Sequence, residues 1–344
     1  MEDLLIEKIQ NINKTEVIND KKEKQLQQYY NDIEPSKIEE FNNRIYKETT
    51  PENIKPKIQF VETLEEDIFF NYLRNITSSI FQNNIPGRVV KILVYDDTTK
   101  QYLGLLQLTV DLLINDEKSK YFGIEPVNYN KYKKKLRDNG ANISICVPLQ
   151  PFGFNFCGGK LLAMLAFSED VYNYYYRKFN IKLKYLITLS YYGKSAQYSQ
   201  LKQLKFIGYT SGYGTSHLSQ DLLDMMKIYL EQIKVKNINK MSNHTIANCV
   251  IKHLKLEPDI LKHNNKRGIY IGTLGSKEFI KNNKSNSKTN SKTNRKINCI
   301  NDDTNYEEWS PDLIETIETI YNIWLTRYAI KRKKHLIETQ RFLI

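Results

Sequence analysis

The chain has 344 residues, 40% of them hydrophobic, with 51 Lys+Arg against 39 Asp+Glu and a formal charge of +12. Such a composition excludes a chain disordered throughout, and the length fits one large domain with appendages or two domains. The longest apolar run, Leu161 to Phe167, is far short of the roughly 20 residues of a membrane helix. Four cysteines without a Cys-x-x-Cys exclude a disulfide framework and point to a reducing, cytoplasmic compartment.

The first 56 residues carry 12 acidic and 9 basic residues, so the positive charge belongs to the body, with 42 basic against 27 acidic, net +15. A field of that sign favours polyanionic partners. Leu5, Ile9 and Ile12 predict an opening amphipathic helix. Pro35, Pro51 and Pro56 then punctuate a polar stretch read as a linker. Apolar positions from Ile68 to Ile80 predict a helix over 62–81. The runs 88–95 and 102–112 flank a polar turn and predict a hairpin. A basic insertion follows at 118–140, holding Lys131, Lys133, Lys134, Lys135 and Arg137. Strands are expected at 142–149, 183–189 and 205–210. Helices are expected at 158–179, 195–203 and 219–233. Beyond Lys240 the sequence predicts a helix from Ser242 to about Leu256 and a strand over 268–274. A basic Asn/Ser/Lys tract at 281–298 is expected to be flexible. A final helix is expected from Ser310-Pro311, ending in Lys331–Lys334.

Three segments offer chemistry. In Val147-Pro-Leu149-Gln150-Pro-Phe-Gly153-Phe-Asn-Phe-Cys-Gly158-Gly159-Lys160 a strand enters a Gly-containing loop that opens a helix. Unobstructed amides there, with the Lys160 charge, suit a pyrophosphate. The spacing is neither a Walker A loop nor Gly-x-Gly-x-x-Gly, and two glycines can equally serve close helix–strand packing. In the second segment, 188–198, a strand end delivers Ser190 and a short helix carries Tyr198, whose phenol could donate a proton. Tyr198 can also be a core aromatic. The third segment, 206–217, holds Gly208, Gly212 and Gly214 with His217, a residue suited to acid–base work or to capping a helix. Cys249, His253 and Glu257 follow helical spacing, but Pro258 ends the helix before Glu257 joins that face, so no metal site is expected. Gly-x-Ser-x-Gly is absent, which removes one hydrolase class. The basic runs, with Lys194 and tyrosines nearby, suit phosphate contacts or merely a solvated charged face.

Gly-Gly-Lys-Leu-Leu-Ala (158–163), Ser-Tyr-Tyr-Gly-Lys-Ser-Ala-Gln-Tyr (190–198), Tyr-Thr-Ser-Gly-Tyr-Gly (209–214), His217-Leu218, Lys262 to Tyr270 and Trp324 to Arg332 together resemble the DruA-like family. That family occurs in bacteria, phages and large DNA viruses and includes a component of the Druantia anti-phage system. More distantly the segments are similar to the GNAT acyltransferase fold and the phage Mom DNA-modification protein. This resemblance implies an α/β (α+β) core, a mixed sheet flanked by helices, over 60–235. Composition sets beside that core an N-terminal helical extension and linker at 1–56 and a mostly helical C-terminal region at 240–344. The resemblance implies acetyl-CoA or another acyl-CoA held by Val147, Leu149, Gln150, Gly153, Gly158, Gly159 and Lys160, with Tyr198 as proton donor; the residues themselves add His217 and Ser190 as catalytic candidates. Asn155 departs from the acyl-CoA pattern, standing where a small residue belongs. The expected activity is either transfer to a nucleobase or acyl acceptor, or non-enzymatic nucleic-acid binding in a virus or defence system. The expected nucleic-acid contacts are Lys133, Lys134, Lys135, Arg137 and Lys194.

Overall fold

The computed structural model describes residues 2–12, 14–31, 33–77, 87–113, 115–124, 134, 136–191, 193–210, 218–257, 260–261, 266–274 and 314–343. The chain forms two compact units: Met1–Ile33, Ser78–Asn83 and Thr210–Lys266 in one, and Glu34–Thr77, Asn84–Tyr209 and Arg267–Ile344 in the other. Packing therefore divides the chain differently from composition, which predicted pieces at 1–56, 60–235 and 240–344. The reason lies in the first helix, α1 (Glu2–Gln10), whose Leu5 and Ile9 are fully buried. They share a core with Leu222, Met226, Leu230, Ile246 and Val250.

The smaller unit is helical among its described residues. It holds α1, α2 (Lys14–Asn31), and two helices from the far part of the chain, Gln220–Gln232 and Asn243–His253. Ser219 and Ser242 cap those last two, each hydroxyl accepting the N–H three residues on.

The larger unit begins with α3 (Pro35–Asn43), a 3-10 turn at Pro51–Asn53 and β1 (Pro56–Phe60). This is the stretch read as a linker. Its prolines start elements rather than interrupting them: Pro35 and Pro51 sit in first turns, where the missing N–H is not needed, and Pro56 begins β1 at the sheet's end. Next come α4 (Leu64–Thr77), β2 (Val89–Asp96), β3 (Tyr102–Val110), α5 (Asp116–Tyr121) and β4 (Gly140–Pro148). Then follow α6 (Phe152–Phe156), α7 (Gly158–Leu165), α8 (Glu169–Phe179), β5 (Tyr185–Ser190) and β6 (Lys205–Tyr209). The smaller unit's two late helices are α9 (Gln220–Gln232) and α10 (Asn243–His253). The chain then returns with β7 (Gly268–Thr273), α11 (Ile317–Trp324), a π turn at Leu325–Ala329 and α12 (Ile330–Glu338).

The seven strands make one mixed sheet in the order β1-β2-β3-β4-β5-β7-β6. Only β4 and β5 run parallel; every other pair is antiparallel. α6, α7, α8 and α11 cover one apolar face, through Phe152, Leu161, Leu162, Leu165, Tyr175 and Trp324. The described chain is thus a mixed α/β protein with a helical C-terminal region. Among the described residues, no helix is long and apolar enough to cross a membrane.

Three expected elements differ. The helix over 158–179 is two, α7 and α8, because the Ser168 hydroxyl takes the Val171 N–H and starts a new cap. The helix at 195–203 is a single turn, with Ser199 N–H donating to Ser195 O and Gln200 at φ +67° ending it. The last helix is capped by Thr316 rather than Ser310, which lies with the 281–298 tract outside the described residues.

Candidate functional site

The one parallel pair is short. β4 and β5 face each other at Gly140↔Tyr185, Ala141↔Leu186 and Asn142↔Ile187. Beyond that point they part, β4 continuing with β3 to Pro148 and β5 with β7 to Ser190. Diverging strands leave ladder groups without partners, and buried ones must be satisfied by something. Here the chain's own side chains do it. The Thr188 hydroxyl donates to Ile143 O at 2.9 Å. Gln197 enters from the 195–200 turn and donates through Nε2 to Cys146 O at 2.8 Å. The same amide reaches Cys146 Sγ at 3.0 Å.

Tyr198 follows Gln197 into the gap. It is 8% exposed, and its ring centre lies 5.3 Å from that of Tyr270. Burial, and then the neighbouring Cys146, hold the Tyr198 phenol well above the ordinary tyrosine range. Burial also pushes the Cys146 thiol up to about 12. A thiol so protonated is a poor nucleophile. Cys146 is therefore expected to resist iodoacetamide in the native protein at pH 8 and to react only after unfolding. Mass spectrometry of native and urea-treated protein checks this; fast native alkylation would show the gap to be open.

The loop after β4 is equally occupied. Leu149 N–H donates to Leu103 O at 2.9 Å and Gly153 N–H to Leu149 O at 2.7 Å. Gln150 caps its own turn, its Oε1 accepting the Phe154 N–H at 2.9 Å. Val147 lies in the ladder opposite Leu105. Gly158 and Gly159 are buried at the start of α7. A Cβ at Gly158 would sit 2.4 Å from the Phe152 ring, and one at Gly159 2.9 Å from the Gln197 side chain. Lys160 is turned away, donating to Ser199 O at 2.6 Å, with its ammonium 4.8 Å from the Tyr328 ring centre. Burial draws its pKa down.

The C-terminal region closes the junction from outside. The Trp324 indole donates to Cys157 O at 3.2 Å, and Arg332 Nε to Phe154 O at 3.2 Å. Asn155, the residue that broke the acyl-CoA pattern, is fully buried. Its amide donates to Leu343 O at 2.7 Å, and its Oδ1 accepts Leu343 N–H at 3.0 Å. In this loop the Leu149, Gly153 and Phe154 N–H groups already have partners within the protein. Its glycine faces meet Phe152 and Gln197, and its lysine and its outer carbonyls are already paired. The 195–200 turn and the C-terminal helices thus pack against the start of α7 and the loop before it.

The remaining expected residues scatter. Ser190 is buried at the end of β5, opposite Gly268. His217, Lys133 and Lys135 lie outside the described residues. Lys134 is exposed, and Arg137 pairs with Asp138 at 3.6 Å. Lys194 is exposed beside the strand ends of β5 and β7, its ammonium 4.9 Å from the Phe206 ring centre. Arg267, just before β7, lies 5.2 Å from the Tyr191 ring centre. Arg327, Lys331 and Lys334 are exposed along the last helical stretch. α10 ends at His253, short of Glu257. Sequence reading missed Gln197, although it stands beside Tyr198, because nothing local shows that its amide would bridge two diverging strands.

Residues 5–282 match the family described as Druantia protein DruA. A curated relative, the Druantia protein DruA of Escherichia coli (strain UMEA 4076-1), is 24% identical over 258 residues, covering 66% of this chain. The chain spans 61% of that relative's length. No solved structure matches. With the greater part of its length matched by that family, the chain belongs to the DruA family.

Proposed function

We infer that this DruA-family chain is a nucleic-acid-binding protein of a virus or a defence system, its sheet a scaffold for charged surface rather than a transferase centre. The reading is carried by one contrast. Gln197 and Tyr198 fill the gap between β4 and β5, while Lys134, Lys194, Arg327, Lys331 and Lys334 stand in solvent. The net +15 of the chain after residue 56 supports the same partner class.

Phosphate contacts release counterions, so log affinity falls linearly with log salt, by about 0.9 per phosphate on duplex DNA. Filter binding of a labelled duplex at about 50 mM salt and at rising salt tests this. A steep negative slope is expected, and no binding of either the duplex or its separated single strand at the lowest salt rejects the reading.

A nucleobase or acyl transferase, using acetyl-CoA or another acyl-CoA, is the second reading. The divergence of β4 from β5 favours it. It requires Gln197 to leave Cys146 so that the gap opens. Mass spectrometry of DNA incubated with the protein and acetyl-CoA tests it, and unmodified bases rule it out for that donor.

A further inference from the structure

The edge of the sheet beyond β7 carries an arrangement that the filled gap leaves unexplained. β6 pairs with β7 as Lys205↔Ile271 and Phe206↔Tyr270, then slips, so that Gly208 faces Ile269 and Tyr209 faces Gly268. Ile207 is the extra residue of a bulge. Side chains alternate along a strand, so Phe206 and Tyr209, three apart, would ordinarily lie on opposite faces. The slip turns Tyr209 onto the face of Phe206 and Tyr270.

The result is a row of rings. Tyr198 and Tyr270 are 5.3 Å apart, Tyr270 and Phe206 5.4 Å, and Phe206 and Tyr209 5.1 Å. The row runs outward from the interior: Tyr270 is 1% exposed and Tyr209 43%. Lys194 stands over Phe206 with its ammonium in solvent. Its turn is held close because position 268 is glycine, where a Cβ would come 2.3 Å from Gly193 O. An outward phenol ring on a backed aromatic row, beside an exposed cation, has the two parts that single strands need: a face for a base and a charge for a phosphate.

Resting on the nucleic-acid reading above, we propose that Tyr209 stacks an unpaired base while Lys194 contacts the adjoining phosphate, so that this sheet edge takes single-stranded nucleic acid. A duplex keeps its bases stacked on one another and offers Tyr209 no face.

The test is fluorescence anisotropy with a labelled oligothymidylate of about 12 nucleotides, a length within the span of one such site, and a duplex of equal length. The full chain is compared with Tyr209→Ala, Tyr209→Trp and Lys194→Ala. Tyr209→Ala should weaken the single strand about tenfold to a hundredfold and leave the duplex unchanged. Tyr209→Trp should retain single-strand affinity. Lys194→Ala should reduce the single-strand salt slope by about 0.7. Equal losses on single strand and duplex, or wild-type affinity in Tyr209→Ala, overturn the stacking site while leaving the broader reading standing. Wild-type protein that binds neither oligonucleotide overturns both.

Discussion

Asp111→Ala should destabilise the protein by about 3–5 kcal/mol, the usual cost of removing one partner of a buried ion pair. Asp111 and Lys118 are 0% and 1% exposed and paired directly. The same carboxylate accepts the Tyr185 phenol at 2.7 Å and, through its other oxygen, the Leu113 N–H at 3.0 Å. Tyr185 also donates to Leu136 O at 3.0 Å. One carboxylate thus ties together the end of β3, α5 and the start of β5, and Tyr185 extends the network to the helical residues 136–139. Burial already pulls the Lys118 ammonium below the ordinary lysine range, against the pull of Asp111. Without Asp111 that ammonium keeps the Leu113 carbonyl, at 3.1 Å. Urea denaturation measures the loss. The double variant Asp111→Ala with Lys118→Met should recover much of it, since the stranded charge is gone. A loss under about 1 kcal/mol in the single variant would mean that water reaches the pair.

Trp324→Ala should cost about 3–5 kcal/mol through the cavity it leaves. The ring is fully buried, 5.6 Å from Phe152 and 5.9 Å from Tyr321 between centres, and its N–H occupies Cys157 O. The deletion removes both the packing and that hydrogen bond, so α11 should loosen from the α6–α7 junction. Urea denaturation gives the magnitude. Hydrogen exchange locates it, with faster exchange expected in 317–338 and at 152–160. Unchanged exchange there would show that the C-terminal helices do not cover the loop.

Much of the sheet was legible from local signals. β2 announced itself as a β-branched run and β3 as an apolar run on either side of Asp-Asp-Thr-Thr, and Gly268 to Leu274 as a short strand. α9 and α10 were legible from serine caps ahead of helical stripes. Pairing was not. Nothing in the first nine residues says that Leu5 and Ile9 pack with Met226 and Val250, because a helical stripe specifies that a face is buried and not against what. The same limit governs the candidate site. The Gly158-Gly159-Lys160 helix start was visible, but its covering by Trp324, Arg332 and Leu343 depends on contacts far apart in sequence. Asn155 was the one warning: a buried amide with two ends in place of a small residue, which proves to clamp the chain's own backbone at Leu343. Tyr209 was lost for a subtler reason, since one extra residue at Ile207 reverses the face on which the next side chain falls.

Anisotropy of a labelled oligonucleotide, titrated with the full chain at about 50 mM and about 200 mM salt, each with and without about 100 μM coenzyme A, sets the charged surface directly against the filled gap. The account predicts affinity that falls steeply with salt and does not respond to coenzyme A. Binding that is lost on adding coenzyme A, or that ignores salt, would contradict it.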